Sequence, residues 1–297
     1  MEDKKEKLPS TRIQWYPGHM AKTRKQIEED LKLIDVVIEL LDARIPNSSR
    51  NPDIKKLTQN KKRIIILNKS DLADDFITKK WQEKYSKEAI TLITDSNSGK
   101  GIESISKKID SLMADEIAKQ AARGRINKTI RVMVLGIPNV GKSSFINRIS
   151  KKTTMEVGNR PGVTKSKQWI RIEKNQELLD TPGVLWPKFE NNKQALDLAF
   201  TGSIKDDILE ITEIAYELLK VLYNDYLQNL KIRYKITDED INNIENKNNK
   251  IYELMQLIAR KRGAIISGGE TDDEKVSRII LEDYRSGKLG KISLEKP

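Results

Sequence analysis

The sequence contains no cysteine and one histidine, His19. Without thiols the chain can form no disulfide, carries no thiolate nucleophile and has no cysteine-based zinc site. This composition is typical of proteins from a reducing compartment, so we expect a cytoplasmic location. A lone histidine is most often a polar loop residue, and its place in the sequence does not by itself indicate catalysis.

Long hydrophobic runs are also missing. No apolar stretch approaches the roughly 20 residues that cross a bilayer, and the first residues, MEDKKEKLPSTR, lack the apolar centre of a secretory signal. We therefore expect no membrane among the partners. Aromatic residues make up only 5% of the chain and no RRM or KH signature is present, so nothing marks base-specific reading of RNA.

Positive charge, in contrast, is abundant. The 55 Lys and Arg residues outnumber the 44 Asp and Glu residues, which gives a formal net charge of +11. A basic surface attracts polyanions, and nucleic acid is the commonest such partner for a chain without a membrane signal. The alternative is lysine that serves only solubility. Charge thus favours a nucleic-acid partner without identifying one.

The most informative stretch is a phosphate-loop motif, GIPNVGKSS, that begins at Gly136. It matches G-x-x-x-x-G-K-[ST] and lies between an apolar run that predicts a strand and an amphipathic run that predicts a helix. Glycines let main-chain N–H groups approach phosphate oxygens, and the helix N-terminus adds positive potential. Lys142 would neutralise the β- and γ-phosphates, and the Ser143 hydroxyl would bind Mg²⁺. A chance match in a turn is the alternative, which the strand and helix on either side disfavour. The predicted phosphate-binding residues of this loop are Asn139, Val140, Gly141, Lys142, Ser143 and Ser144.

A second motif, Asn68-Lys69-Ser70-Asp71, ends another apolar run and looks like the N-K-x-D guanine motif of GTPases. A carboxylate at Asp71 can accept from the N1–H and the exocyclic amine of guanine, whereas adenine would leave it unpaired at a cost. The stem of Lys69 can cover the base while Asn68 braces the loop. The motif alone is common by chance, but a phosphate loop in the same chain favours guanine binding.

Two further elements follow the phosphate loop. Thr164, in the polar stretch RPGVT, is predicted to reach Mg²⁺ and the γ-phosphate. A later apolar run ends in DTPG, a D-x-x-G element in which Asp180 would bind Mg²⁺ through water and the Gly183 N–H would sense the γ-phosphate. Val184 and Leu185 stand where GTPases often have a water-orienting Gln. Hydrolysis would therefore be slow or use a group from elsewhere.

The hydrophobic pattern divides the chain into two regions. Apolar runs separated by helical segments predict an α/β sheet covered on both faces, and from about residue 203 only helical spacing remains. The predicted strands cover residues 36–41, 63–67, 89–93, 130–135, 168–172 and 177–179. The predicted helices of the second region cover residues 208–223, 238–245, 251–262 and 272–286.

The order of the motifs is unusual, because the guanine motif at Asn68 precedes the phosphate loop at Gly136. This order indicates a circular permutation, in which the same sheet is opened at a different loop. The sequence resembles the circularly permuted TRAFAC-class GTPases of ribosome assembly, and within them the bacterial ribosome biogenesis GTPase A family. The segments that carry the resemblance are WYPGHMAK, DARIP, NKSD, GIPNVGKSS, RPGVTKS, DTPGVLWPK, IARKRG and SGGETDDEKVSRIILEDYRSGKLG.

The resemblance implies a circularly permuted P-loop GTPase domain with a mostly parallel sheet, residues 1–203, and a small all-helical rRNA-binding domain, residues 204–297. It implies that GTP hydrolysis to GDP is coupled to late 50S assembly and is stimulated by binding to the large ribosomal subunit precursor, its rRNA and its proteins. We expect a monomer off the ribosome.

The resemblance also implies roles for individual residues. His19, in the PGHM element, would join Lys142 and Thr164 as a catalytic residue once the ribosome orders it; the alternative is that it contacts RNA or only closes the site. Asn139 stands where related GTPases use an Asn to hold K⁺, so we expect potassium stimulation. The base-contacting loop of the family typically carries Ser-Ala, whereas this chain has TDSN, in which Ser96 is the candidate main-chain contact to guanine.

Basic residues near the ends of the last predicted helices would bind rRNA phosphates. The alternative is a solvated charged face. The predicted RNA contacts are Arg260, Lys261, Arg262, Arg285 and Lys288.

Two other functions stay open at this point. A nucleotide-dependent RNA or protein switch, with incidental hydrolysis, is favoured by the missing Gln. An ATPase is the weaker alternative, which Asp71 disfavours.

Overall fold

The computed structural model describes residues 20–124, 128–150, 168–180, 191–245 and 248–297. Its centre is a six-stranded sheet with the strand order β3-β2-β1-β4-β6-β5. The strands are β1 (Val36–Asp42), β2 (Lys62–Asn68), β3 (Ile90–Ile93), β4 (Ile130–Leu135), β5 (Gln168–Glu173) and β6 (Gln176–Asp180).

Five of the strands run parallel, and only β5 is antiparallel to its neighbour β6. The predicted mostly parallel sheet is therefore confirmed. The carboxyl ends of β3, β2, β1, β4 and β6 all lie at one edge of the sheet, which is where ligands bind in open α/β folds. We call this edge the carboxyl edge.

Eleven α-helices are found among the described residues. They are α1 (Met20–Leu31), α2 (Pro52–Leu57), α3 (Asp75–Ser86), α4 (Glu103–Ala122), α5 (Lys142–Ile149), α6 (Asn192–Phe200), α7 (Ile211–Asp225), α8 (Leu227–Tyr234), α9 (Asp238–Glu245), α10 (Lys250–Arg262) and α11 (Asp273–Arg285). No helix in these described ranges is long and apolar enough to cross a membrane.

Apolar layers cover the sheet on both faces, as the continuous hydrophobic runs predict. Successive residues of β1 alternate between them: Ile38 and Leu40 pack against one layer, and Val37 and Leu41 against the other. The first layer contains α4 and α5, and the second contains α1 and α3. Burying each such side chain stabilises the fold by about 1.5–3 kcal/mol, which also fixes the register of the strands.

The C-terminal helical region, α6 to α11, continues the first layer. Leu218 and Leu222 of α7, Ile258 of α10 and Ile280 of α11 are fully buried in the same hydrophobic cluster as β1 and β4. The core therefore runs from the sheet into the helices without a break. The division of the chain at residue 203 stays a prediction.

The strand predictions agree with the structure to within two residues at each end. The sequence patterns did not predict α6 or α8. In α6 the polar side chains of Gln194 and Asp197 are buried, which hides the amphipathic spacing. In α8 only Leu230 and Tyr234 are buried, too few to produce a clear period.

Candidate functional site

The carboxyl edge brings the sequence motifs together. Asp42 ends β1 and Asn68 ends β2, and the two residues are partners in the parallel register. The phosphate loop follows β4, the strand on the other side of β1, and the TDSN loop follows β3. Segments that are far apart in the sequence therefore form one surface, as the permutation predicts.

Close packing explains the two glycines of the phosphate loop. A Cβ atom at Gly136 would lie 2.8 Å from the main-chain oxygen of Leu40. Gly141 has a φ of +90°, and a Cβ there would lie 2.6 Å from Nδ2 of Asn68. Asn139 also has positive φ, +60°, a conformation that Asn tolerates better than most residues.

The loop leads directly into α5, whose N-cap is Gly141. No side chain of the described residues caps this end by a hydrogen bond, and the dipole of a helix favours an anion at its N-terminus. Phe145 and Ile146 are fully buried and anchor the helix beneath the loop. Lys142 and Ser143 lie in its first turn, and their roles at phosphate and Mg²⁺ stay predictions.

Asn68 joins three loops at the carboxyl edge. Its Nδ2 donates to the main-chain oxygen of Val140 at 2.9 Å. Its Oδ1 accepts from the Thr94 hydroxyl at 3.1 Å, from the Ser96 N–H at 3.2 Å and from the Ser96 hydroxyl at 2.7 Å. All these groups are buried, so each bond replaces hydration that folding has removed. The geometry agrees with the predicted bracing role of Asn68 and adds Thr94, which the sequence analysis did not single out.

Lys69, a residue of the guanine motif, contacts the phosphate loop. It has a φ of +59°, and its Nζ donates to the main-chain oxygen of Asn139 and lies 3.5 Å from a carboxylate oxygen of Asp42. Burial, only partly offset by Asp42, lowers the pKa of Lys69 to about 8. Its aliphatic stem lies within 4 Å of the Cβ that would be added at Gly141, so the side chain runs along the loop.

Asp71 is exposed at the same edge, as a base-recognising carboxylate must be. Burial of part of the side chain and then repulsion by Asp95 raise its pKa. Although burial alone would raise the pKa of Asp95 as well, hydrogen bonds from Ser98 and Asn97 hold it below the usual value. The N–H groups of these two residues donate to Asp95 at 3.2 and 2.8 Å. The departure from Ser-Ala in this loop is therefore a self-closed turn built on Asp95.

Ser96 lies within that turn. Both its N–H and its hydroxyl donate to Asn68, and its main-chain oxygen accepts from Nε of Arg148, on α5, at 3.2 Å. Arg148 thus fastens the base loop to the helix that follows the phosphate loop. The contact of Ser96 with guanine stays a prediction, as does that of Ser70, which is buried.

A buried ion pair supports the floor of this edge. Arg44 is 1% exposed and donates to both carboxylate oxygens of Asp42, at 3.0 and 2.8 Å, while its guanidinium lies 5.0 Å from the ring centre of Tyr284 on α11. Although burial opposes it, Arg44 and then Lys69 lower the pKa of Asp42 to about 2. Asp42 and Arg44 belong to the DARIP segment, which carries the family resemblance. Their ion pair was not predicted from the sequence.

Several predicted site residues lie outside the described residues. These are His19, Thr164 and Gly183. Asp180 ends β6 and pairs in register with Val134 of β4, two residues before the phosphate loop.

Within the described ranges no three His, Asp or Glu side chains form a metal cage. Mg²⁺ takes few protein ligands together with phosphate oxygens and water. The assignment of Ser143 and Asp180 as two of those ligands stays a prediction.

The predicted RNA contacts lie on α10, on α11 and just after α11. Lys261 pairs with Asp240 at 3.0 Å, Arg262 lies 3.5 Å from Asp283, and Lys288 lies 3.4 Å from Glu282. Arg260 is exposed. Arg285 differs from the others because its guanidinium donates to main-chain oxygens at the end of α6. The RNA role of all five residues stays a prediction.

Known proteins share this arrangement. Residues 131–260 match the family model described as "50S ribosome-binding GTPase". The chain is 45% identical to the ribosome biogenesis GTPase A of Bacillus pumilus over 96% of this chain and 99% of that protein, and 31% identical to that of Thermotoga maritima over 96% and 95%. The GDP-bound structure of YlqF from T. maritima has 27% identity and a TM-score of 0.65, over 92% of this chain and 99% of that one. On this likeness in sequence and fold, the chain belongs to the ribosome biogenesis GTPase A family.

Proposed function

We propose that this GTPase binds the large ribosomal subunit precursor and couples GTP hydrolysis to a late step of 50S assembly. The observation that supports GTP binding is the set of hydrogen bonds made by the Asn68 side chain, which we call the Asn68 junction. It joins the guanine motif to the phosphate loop and to the loop after β3. The name of the matched family model and those of the relatives support the ribosomal half. The net charge of +11 is consistent with an rRNA partner.

Guanine is the proposed base because Asp71 is an exposed carboxylate that closely follows Asn68 and Lys69, and both of these residues bond to the phosphate loop. Its acceptor oxygens match the two donors on the Watson–Crick edge of guanine, and adenine would leave them unpaired. Lys69 would lie along the base, and Ser70 and Ser96 complete the proposed base site.

Phosphate binding falls to the loop and the first turn of α5. The main-chain N–H groups from Asn139 to Ser144 would hold the phosphate oxygens, and Lys142 would neutralise charge on them. Bound Mg²⁺ supplies further charge neutralisation at the β- and γ-phosphates. Ser143, Thr164 and Asp180 are its proposed ligands, and Gly183 is the proposed γ-phosphate sensor.

Catalysis is proposed to depend on His19 and on the ribosomal particle. Val184 and Leu185 cannot orient water, so efficient hydrolysis would need another group, and His19, the only histidine of the chain, is the proposed one. K⁺ beside Asn139 would neutralise charge that develops on the phosphates. The proposed sequence of events is binding of GTP, docking through the basic C-terminal helices, ordering of His19 and hydrolysis.

GTP turnover measured with and without 50S particles, in potassium and in sodium buffer, tests this function. Wild type and His19→Ala are compared side by side. We expect stimulation by particles and by K⁺ that is lost in His19→Ala. Stimulation that survives in the variant would refute the role of His19, and no stimulation by any particle would refute the assembly GTPase.

The second candidate is a nucleotide-dependent switch in which hydrolysis is incidental. The absence of a Gln after Gly183 favours it. In that case the affinity of the protein for 50S particles would differ between its GTP-bound and GDP-bound forms. The rate of GTP turnover would be the same with and without particles.

A further inference from the structure

The side chain of Asn139 is held by the C-terminal helical region. Its Nδ2 donates at 2.7 Å to the main-chain oxygen of Thr201, the C-cap of α6. A carbonyl can only accept, so this bond fixes the orientation of the Asn139 amide and turns Oδ1 away from Thr201. The residue proposed to hold K⁺ therefore depends on a carbonyl 62 residues away.

Arg285, at the end of α11, holds the same end of α6. Its Nε donates to the main-chain oxygen of Phe200 at 2.9 Å and its Nη2 to that of Ala199 at 2.8 Å. Both Nη atoms also reach the carboxylate of Asp206, at 2.7 and 2.8 Å. A cation that donates to the last carbonyls of a helix is favoured by the helix dipole and satisfies groups that lack helical partners.

Gly202 shows how closely the two side chains meet. It has a φ of +72°, and a Cβ built on it would lie 3.0 Å from Nδ2 of Asn139 and 3.3 Å from Nε of Arg285. Asn139 and Arg285 therefore converge on the turn that follows α6. Thr201 between them is fully buried, and its hydroxyl bonds back to the oxygens of Asp197 and Leu198, so the turn has little freedom to adapt.

We propose that Arg285 is a positioning residue of the nucleotide site. By holding the carbonyl end of α6 it sets the place of the Thr201 oxygen, which orients the Asn139 side chain in the phosphate loop. The helical region would in this way act on the nucleotide without touching it. The inference rests on the proposed GTPase function and assigns Arg285 a role different from direct binding of rRNA.

Release of a fluorescent GDP analogue from particle-free protein tests the proposal. Arg285→Ala, Asn139→Ala and the double variant are compared with Arg278→Ala, a control on α11 whose exposed side chain pairs with Glu274. Arg285→Ala loses the hydrogen bonds to the oxygens of Ala199 and Phe200, so we expect it to release the GDP analogue about three- to tenfold faster than wild type. The double variant should release no faster than Asn139→Ala, because Arg285 acts through Asn139. Arg278→Ala should match wild type.

Two results would overturn the proposal. One is wild-type release in Arg285→Ala with weakened binding to 50S particles, which would make Arg285 an RNA contact. The other is full additivity in the double variant, which would mean general destabilisation. Arg285→Lys serves if the alanine variant does not fold. An ammonium cannot reproduce the planar fork with which the guanidinium bonds the carbonyls and Asp206, so release faster than wild type is expected, and wild-type release would contradict the proposal.

A potassium titration of GTP turnover adds a second measurement. We expect Arg285→Ala to need more K⁺ for half-maximal turnover, with no such shift in Arg278→Ala. If wild-type turnover is independent of K⁺, the proposed potassium site fails while the release experiment still decides the role of Arg285. If the wild-type protein does not bind GDP, the proposed function itself fails, and this inference with it.

Discussion

The side-chain amide of Asn68 donates a 2.9 Å hydrogen bond to the main-chain oxygen of Val140, across 72 residues of sequence. This bond makes the guanine motif and the phosphate loop one structural unit. The base site and the phosphate site should therefore be lost together.

Asn68→Ala tests that coupling. The change removes the bond to Val140 and leaves the hydroxyls of Thr94 and Ser96 without their acceptor. We expect the unfolding free energy to fall by about 2–3 kcal/mol, measured by urea denaturation, and the affinities for GDP and for GTP to fall together, by tenfold or more, in calorimetry. Asn97→Ala, an exposed control in the same loop, should stay within about 0.5 kcal/mol of wild type. Normal nucleotide affinity in Asn68→Ala would contradict the coupling.

Asp71→Asn tests the identity of the base. An amide in place of the carboxylate can donate to the 2-oxo group of xanthine but no longer accepts twice from guanine. We expect preference to move from guanosine to xanthosine nucleotides, measured as the ratio of the two dissociation constants. A guanosine preference equal to that of wild type would refute the assignment of Asp71.

The buried pair of Asp42 and Arg44 predicts a dependence of stability on pH. The folded pKa of Asp42 is about 2, below its ordinary value of 3.8. Its contribution is therefore fully present above about pH 4 and is lost as the pH falls toward 2, an effect of about 2 kcal/mol.

Asp42→Asn provides the comparison for this effect. It leaves Arg44 buried without a charged partner, so we expect a loss of about 3–5 kcal/mol at pH 7. The free energy of unfolding of both proteins is measured in urea from pH 7 to pH 3. The difference between wild type and Asp42→Asn should become smaller as the pH falls. Asp238→Asn, at a carboxylate that is 90% exposed, removes the same charge at the surface and serves as the control. A gap that is constant with pH would contradict the assignment to Asp42.

Glu295 shows what the sequence patterns do not reveal. It is the third residue from the end of the sequence, yet its carboxylate accepts from the N–H groups of Asn47 and Ser48 at 2.6 and 2.9 Å and from the Ser48 hydroxyl at 2.5 Å. Motifs and strands could be predicted because their signal is local: a run of apolar residues or a fixed spacing. The contacts of Glu295, like those of Arg285 with α6, depend on where distant segments meet, which no local pattern encodes.

Glu295→Ala should therefore destabilise the protein more than a change so near the end of a sequence usually does. The N–H groups of Asn47 and Ser48 lose their acceptor, whereas the Ser48 hydroxyl still has Asp197 as an acceptor at 3.1 Å. Leaving the buried Ser48 N–H unpaired alone costs about 1–3 kcal/mol. We expect a loss of at least 2 kcal/mol in urea unfolding. Lys296→Ala, at a neighbour that is 73% exposed, should leave stability unchanged. Equal stabilities of the two variants would show that the C-terminal segment does not hold the loop after β1.

Gly141→Ala separates packing from backbone strain in the phosphate loop. Gly141 and Gly124 both have positive φ, +90° and +74°, so alanine at either site costs about 1 kcal/mol of strain. A Cβ at Gly124 would meet no atom of the described residues within 4 Å, whereas a Cβ at Gly141 would lie 2.6 Å from Nδ2 of Asn68. Because that clash breaks the bond from Asn68 to Val140, Gly141→Ala should abolish measurable GDP binding, while Gly124→Ala should lose stability only. If the two variants bind GDP equally well, the phosphate loop can adapt to the added methyl group. The prediction that the hydrogen bonds of Asn68 hold this loop rigidly would then be wrong.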